Sequence, residues 1–242
     1  MTELQGLWVA LSGSVPALEE LKANGWDVQA FHWMVKNLAA ALLEKGVGIV
    51  HGCHPSYTPL VADVARKFAA PLGKPVRMLA ISSFYPTREV WEAFVKQHPY
   101  AEVEPIDSVH TPLDDALDHL ATQLSDFGQA FICIGGRAGR QSLRTNKQQV
   151  EDELDKAQGR SRPIYLLGGC GGLSRKLFED RFKQNPSKMS NGLQDDDNQK
   201  LASAGPWDAP SLVLQGLYTL RSQGQLLPTK FPKPRGYDWN TP

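Results

Sequence analysis

The chain has 242 residues, 41% of them hydrophobic and 21% charged, which is typical of a folded globular protein and excludes a disordered one. Its 26 Lys and Arg residues balance its 26 Asp and Glu residues, so we expect no general nucleic-acid surface, which needs excess basic charge. No apolar run reaches the roughly 18 residues of a membrane helix. Three widely spaced cysteines, with no secretory pattern at the start, predict a cytoplasmic protein with free thiols.

Six short apolar runs predict the strands of one sheet. Several are almost continuously apolar, as strands buried on both faces are, whereas the fourth is more polar and indicates an edge strand. The runs lie at 7–14, 47–52, 76–82, 101–107, 131–136 and 163–169.

Helical patterns separate these runs. Residues 28–45 carry one apolar stripe, and Thr58-Pro59 has the order of a helix start. A third helix follows Thr111-Pro112, with a predicted buried face at Leu113, Leu117, Leu120 and Leu124, and a last one lies near 208–222. This alternation predicts an α/β fold: a Rossmann-like, doubly wound, mainly parallel sheet flanked by helices.

The expected domain organisation is one domain over residues 1–227, followed by an extended, proline-rich tail at 228–242. Residues 184–207 are polar and without period, so we expect one long loop there, with a solvated acidic surface at Asp195–Asp197. The tail would pack on the domain or on a neighbouring subunit.

Four predicted strand ends carry small residues, at 12–14, 51–56, 135–140 and 168–174. In an open parallel sheet, ligands bind beyond the carboxyl ends of the strands, and glycine lets backbone N–H groups approach them closely. These turns therefore predict one crevice for a phosphate or pyrophosphate, unless the glycines merely permit tight turns. The P-loop and dinucleotide fingerprints are both absent, so ATP hydrolysis and hydride transfer lose support.

The stretch "GIVHGCHPSYTPLV" places His51, Cys53 and His54 within four residues. A zinc site needs three or four ligands, and no second pair has ligand spacing, so we expect no metal. Cys53 with a histidine base is disfavoured because neighbouring strand residues point to opposite faces. The better interpretation makes His54 a ligand-facing donor, and Tyr57 could stack on a base.

The remaining cysteines and several tryptophans have simpler expected roles. Cys133 lies inside an apolar run and is predicted to be a small core residue, whereas Cys170 lies in a glycine turn and could line the pocket. Trp8, Trp26 and Trp33 are predicted to be core residues.

The four segments "ALSGSVP", "GIVHGCHPSYTPLV", "FICIGGRAG" and "PIYLLGGCGG", in this order, resemble the SLOG superfamily. This Rossmann-like group includes the lonely-guy phosphoribohydrolases, relatives of DprA, and nucleotide-sensing domains of bacterial antiviral effectors. The likeness spans residues 7–183 and is greatest to the sensor branch, because the second segment is similar to that branch's Gly-Gly-His-Pro-x-x-Thr-Pro-Leu turn.

The resemblance implies a nucleotide or ADP-ribose-like ligand derived from NAD, and no required cofactor. It also implies a cytoplasmic homo-oligomer that acts in antiviral defence, with a separate effector protein as a possible partner. The implied ligand-binding residues are Ser12, Gly13 and Ser14 against phosphate or ribose, Gly52, His54 and Pro55 at the pocket floor, Thr58 as cap of a helix facing the phosphates, and Gly135, Gly136, Gly168 and Gly169 on the far side.

One stretch departs from the family. The hydrolase branch carries a glutamate in Pro-Gly-Gly-x-Gly-Thr-x-x-Glu, and Leu143 stands at that position here. The next carboxylates, Glu151 and Glu153, are the catalytic candidates if the chain is instead an N-glycosidic-bond hydrolase. The departure also adds Arg137 and Arg140, which could fork onto phosphates or simply belong to a solvated loop. A subunit whose pocket has degenerated is a third interpretation.

Overall fold

A six-stranded, fully parallel sheet organises the computed structural model, which describes residues 4–85, 87–106, 112–137 and 145–229. Its strands are β1 (Trp8–Ser14), β2 (Gly48–His51), β3 (Val76–Ile81), β4 (Ala101–Ile106), β5 (Ala130–Gly135) and β6 (Ile164–Leu167). They lie in the order β4-β3-β2-β1-β5-β6, so the polar fourth strand is an edge strand, as predicted. The α/β fold class is confirmed.

Helices cover both faces of this sheet. In chain order they are α1 (Leu18–Ala23), α2 (Val28–Glu44), α3 (Thr58–Leu72), α4 (Arg88–Gln97), α5 (Leu113–Phe127), α6 (Thr145–Gly159), α7 (Gly172–Leu177), α8 (Asp195–Leu201) and α9 (Asp208–Ser222). In the described part of the chain, no helix is both long enough and apolar enough to span a membrane.

Two hydrophobic cores result from the alternation of strand side chains. Val9 and Leu11 point into the core under α2, α3 and α9, whereas Ala10 of the same strand points into the core under α5, α6 and α7. The strand order reverses direction at β1, which pairs with both β2 and β5. In such sheets, the crevice beyond the strand ends at the reversal is the usual place for a ligand.

The predicted apolar face of α5 is only half right. Leu120 and Leu124 are buried, but Leu113 at the start of the helix is 44% exposed. The prediction for Leu113 is wrong because the first turn of α5 extends past the core and borders open space. Its apolar surface is therefore available to something other than the protein interior.

The prediction of one long loop over 184–207 is also wrong. A short 3₁₀ helix (Pro186–Met189) and α8 occupy most of this segment. The buried Asn191 holds it against the sheet: its amide donates to the carbonyl of Ile164 at 2.8 Å and to Asn198 Oδ1 at 2.7 Å. The acidic run Asp195–Asp197 forms the first turn of α8, where the helix dipole favours negative charge.

The cysteine and tryptophan predictions have mixed outcomes. Cys133 is buried in the core, as predicted, and Cys170 is buried as well, so its predicted place in the pocket wall is wrong. Trp8 and Trp26 pack against the core. Trp33, however, is 45% exposed and its ring lies 5.7 Å from that of Trp207, so its core prediction is wrong. All three cysteines are free thiols.

Candidate functional site

A cavity of about 550 Å³ lies beyond the carboxyl ends of β1, β2 and β3. The end of β1, the turn after β2 and the segment after β3 form one side of it. The amino-terminal half of α5 and the middle of α6 form the other side. The cavity thus lies beside the reversal of strand order, where the fold predicts a ligand site.

Glu153 provides the polar floor of this cavity. Its side chain is only 3% exposed, and α6 carries it to the end of β1. There the Ser12 hydroxyl donates a short hydrogen bond to Oε2, and Gln149 Nε2 donates to Oε1 at 3.0 Å. Both carboxyl oxygens therefore have a neutral hydrogen-bond donor.

Burial raises the pKa of Glu153 to about 7, because the charged form loses its hydration. The hydrogen bonds from Ser12 and Gln149 act in the opposite direction, and the nearby charge of Asp152 raises the pKa further. The carboxyl group is therefore divided between its protonated and ionised forms near neutral pH, as acid–base groups in active sites often are.

His54 lies in the wall of the cavity with its tautomer fixed. The backbone N–H of Ser56 donates to His54 Nδ1 at 3.2 Å, so the neutral ring carries its proton on Nε2. The Ser56 hydroxyl also contacts Nδ1 at 2.8 Å and accepts a hydrogen bond from the N–H of Val15 at 3.3 Å. Burial and the nearby charge of Arg137 lower the pKa of His54, which keeps the ring a neutral donor.

The turn before α3 uses its backbone donors internally. The amides of Tyr57 and Thr58 both donate to the carbonyl of His54, which also accepts the Thr58 hydroxyl at 2.7 Å. Leu60 and Val61 donate to the carbonyl of Tyr57. The predicted cap role of Thr58 is wrong, because Thr58 is the first residue of the helix and Tyr57 occupies the N-cap position without a capping side chain.

Cys53 and His51 do not form a reactive pair. Burial raises the pKa of the Cys53 thiol and lowers that of His51 to about 3, so both groups are neutral. His51 Nδ1 accepts the amide of Cys53 at 3.1 Å instead of contacting its sulfur. The backbone of Cys53 has a φ of 59°, in the left-handed region that favours glycine. Among the described residues, no group of three or more His, Cys, Asp or Glu side chains could hold a metal ion.

The rest of the cavity wall is apolar, a feature that sequence analysis missed. Ile81 and Phe84 contribute from the end of β3, and Leu113, Leu117 and Val150 contribute from α5 and α6. Phe84 is 66% exposed, so its ring borders the mouth of the cavity. The sequence signal was the phenylalanine just after a strand end, which a search for glycine turns passes over.

Tyr57 lies in the cavity wall with little of its surface exposed. It is 5% exposed, its hydroxyl donates to the carbonyl of Leu11 at 3.3 Å, and its ring stacks on that of His54 at 5.7 Å. Phe84, at 66% exposed, presents far more ring surface to the cavity than Tyr57 does.

The glycines of β1 and β5 permit close backbone contact at the edge of the cavity. Gly13 has a φ of 121°, and a Cβ there would lie 2.0 Å from the carbonyl oxygen of Ile134. Gly135 and Gly136 also have positive φ, and the N–H of Gly136 donates to the carbonyl of Ser14 at 2.7 Å. Gly13 and Gly135 therefore need glycine for packing between the ends of β1 and β5, and Gly136 needs it for packing against Leu173 of α7.

The glycines after β6 lie against protein. A Cβ on Gly168 would be 2.6 Å from the carbonyl oxygen of Ala202, and a Cβ on Gly169 would be 2.0 Å from that of Ala204. The segment predicted as a loop covers this strand end. The structure therefore does not bring Gly168 and Gly169 to the cavity.

The predicted site residues thus divide into two groups. Those in the cavity wall are Ser12, Gly13, Ser14, Gly52, His54, Pro55 and Glu153. Those outside that wall are Thr58, Gly135, Gly136, Arg137, Gly168, Gly169 and Glu151. Arg137 is exposed just after β5, where its charge lowers the pKa of His54, and Arg140 lies outside the described residues.

The chain is similar in fold to some solved structures, but it matches no protein family. No family model matches the chain, and no curated protein matches it. Among solved structures, the chain is similar to the structural-genomics protein TM1055, with 17% identity and a TM-score of 0.46 over 75% of this chain and 88% of that one. It is also similar to DNA processing protein A from Helicobacter pylori, described for its single-stranded DNA binding mode, with 15% identity and a TM-score of 0.46 over 74% of each chain.

Proposed function

We propose that this chain binds a nucleotide or an ADP-ribose-like, NAD-derived nucleotide in the cavity beside β1. One observation carries the proposal: a buried carboxyl group with fixed hydrogen-bond partners forms the floor of a largely apolar cavity at the reversal of strand order. A cavity of about 550 Å³ falls within the usual range for small-molecule sites. Few, convergent polar groups among apolar walls are the pattern that such sites share.

The proposed role is that of a sensor, in keeping with the SLOG-like segments of the sequence. The cytoplasmic location, the homo-oligomer, the separate effector protein and the link to antiviral defence are parts of this proposal. The chain requires no cofactor for it, since the nucleotide is the signal itself. Binding would be transmitted through α5 and α6, because these two helices form one side of the cavity and pack against each other.

Calorimetry against ADP-ribose, cyclic ADP-ribose, NAD and nucleoside monophosphates tests the binding proposal. We expect one of them to bind the wild type, and the variant Leu113→Trp to lose that binding because the larger ring fills the mouth of the cavity. Leu227→Trp is the matched control, since Leu227 is also exposed (63%) but lies outside the cavity wall. Absence of binding by every ligand at millimolar concentration, in folded wild type, would refute the proposal.

A second candidate function is hydrolysis of an N-glycosidic bond in NAD or a nucleotide. The position of Glu153 favours it, because a carboxyl group with a pKa of about 7 can exchange a proton at neutral pH. Chromatography for released nicotinamide or free base measures this activity. Glu153→Gln should abolish turnover, whereas the matched variant Glu151→Gln, on the same helix but outside the cavity wall, should retain it. Equal turnover in both variants would exclude Glu153 as the catalyst.

A further inference from the structure

We propose that the nucleotide binds with its base inside the cavity, hydrogen-bonded to Glu153, and with its phosphates outside, beside Arg137. This inference rests on the proposed function and reverses the orientation that the glycine turns predict. It identifies the buried part of the ligand as a flat ring that bears N–H donors.

The floor of the cavity is unsuited to a phosphate. The Ser12 hydroxyl, which could otherwise donate to phosphate oxygens, already donates to the carboxyl group of Glu153. An ionised Glu153 would repel an anion. Burial raises the pKa of Tyr57 and of Cys133, so both groups are neutral and neither offers a positive charge. Among the described residues of the cavity wall, none carries a positive charge at neutral pH.

The N-terminus of α3, which borders the cavity, is equally unsuited. A helix start binds anions through backbone N–H groups that lack intrahelical partners. At α3, the amides of Thr58, Leu60 and Val61 already donate within the turn, and Pro59 has no N–H. The Thr58 hydroxyl is likewise occupied by the carbonyl of His54. A phosphate placed here would have to displace existing hydrogen bonds.

The walls, by contrast, suit a planar ring. Phe84 and Leu113 present exposed apolar surface at the mouth, and Leu117 and Val150 continue it toward Glu153. An aromatic face and aliphatic side chains bury a nucleobase favourably, whatever its identity. At the floor, the ionised form of Glu153 accepts hydrogen bonds, so it favours a ring edge that carries donors.

The rim has the charge that phosphates require. Arg137 is exposed at the end of β5, and its charge is close enough to lower the pKa of His54. The His54 ring is a neutral donor through Nε2, so it can contact a ribose or phosphate oxygen without opposing Arg137. Guanidinium groups suit phosphate oxygens because they donate two parallel hydrogen bonds.

Calorimetry with matched fragments separates the two orientations. The probes are adenosine, guanosine, cytidine, uridine and nicotinamide riboside, their 5′-monophosphates, ribose 5-phosphate and inorganic pyrophosphate. We expect at least one nucleoside to bind within about tenfold of its own monophosphate, a difference of about 1.4 kcal/mol. Ribose 5-phosphate and pyrophosphate should fail to compete. In saturation-transfer NMR, base protons should receive stronger saturation than the ribose 5′ protons.

Two variants complete the test. Arg137→Ala should reduce monophosphate affinity to that of the nucleoside and leave the nucleoside unaffected. Phe84→Ala should weaken both by about tenfold or more, because base stacking is lost. If ribose 5-phosphate binds as tightly as the monophosphate and no nucleoside binds, the orientation is wrong and the binding proposal stands. If neither these probes nor ADP-ribose, cyclic ADP-ribose and NAD bind, both proposals are wrong.

Discussion

The strand ends of β1 and β6 both carry small residues, but one borders an open cavity and the other is covered by protein. At β1, the chain ends beside an open cavity with Glu153 as its floor. At β6, Gly168 and Gly169 lie under the carbonyls of Ala202 and Ala204. A glycine at a strand end indicates that another group approaches the backbone closely. That group can be a ligand or, as at β6, another segment of the same chain.

The largest expected effect on stability concerns the end of β6, which the segment at 184–207 covers. Gly169→Ala should lower the free energy of unfolding by at least about 3 kcal/mol, because the added methyl group would meet the carbonyl of Ala204 at 2.0 Å. The matched control is Gly159→Ala, where nothing lies within 4 Å. Urea denaturation measures both. Equal stability of the two variants would mean that the segment over β6 is not packed as described.

The next effect concerns the cavity at the end of β1, where Glu153 makes the free energy of unfolding depend on pH. Because folding raises the pKa of Glu153 from 4.5 to about 7, the folded state binds a proton that the unfolded state has lost. Stability from this group therefore falls as pH rises through that window, by about 3 kcal/mol in all. His51, whose pKa falls from 6.5 to about 3, has the opposite slope below pH 6.5, since its stability is lost as pH falls.

The variant Glu153→Gln separates these two slopes. Between pH 4.5 and 6.5 the wild type should show little net change from the pair, whereas the variant should become steadily more stable as pH rises. Urea unfolding at intervals of one pH unit measures the difference. Parallel profiles for the two proteins would show that Glu153 does not titrate near neutrality.

A smaller loss of stability is expected from Asn191, whose hydrogen bonds hold the segment at 184–207 against β6. Asn191→Ala removes a donor to the carbonyl of Ile164 and an acceptor for the N–H of Leu193, both buried. We expect a cost of about 2 kcal/mol, since buried groups lose their partners. Asn185→Ala, an exposed position in the same segment, should cost far less, and thermal unfolding compares the two.

The smallest effect on stability is expected at Phe84, at the mouth of the cavity. Phe84→Ala should change the free energy of unfolding by less than about 0.5 kcal/mol, because the ring is 66% exposed and supports little of the fold. Its effect should appear in ligand affinity instead. A large loss of stability, seen by urea denaturation, would show that Phe84 is a packing residue and that the cavity mouth is not as open as described.

The sheet could be predicted well because its signal is local. Five of the six strands lie within their predicted runs and β5 begins one residue before its run, since strands buried on both faces must be apolar throughout. The polarity of 101–107 was enough to place β4 at an edge. The prediction of a loop over 184–207 failed because the segment is held by a few separated buried residues, among them Met189, Leu201 and Asn191, whose amide bonds to the distant Ile164. Polar composition alone cannot distinguish that arrangement from a loop.

The site was predicted only at the ends of β1 and β2. Ser12 and His54 were found because short motifs mark them. Glu153 was considered without a way to choose it over Glu151, since the phase of α6 against β1 decides which carboxylate faces inward. Phe84 and Leu113 were missed as cavity residues because an exposed apolar side chain and a buried one look alike in sequence. Tertiary context supplied what local pattern could not.

The hydrogen bond between Ser12 and Glu153 joins residues that are 141 positions apart. During synthesis β1 through β4 leave the ribosome first, and they can pair among themselves before β5 and α6 exist. Until then the side of β1 that will receive β5 is an unpaired strand edge, and the future cavity is a half-open apolar groove. Closing so long a stretch of chain is slow by comparison with local contacts. The cavity is therefore one of the last features that this chain completes as it folds, and the proposed nucleotide, if bound there, would mark a molecule in which β5 and α6 have joined β1.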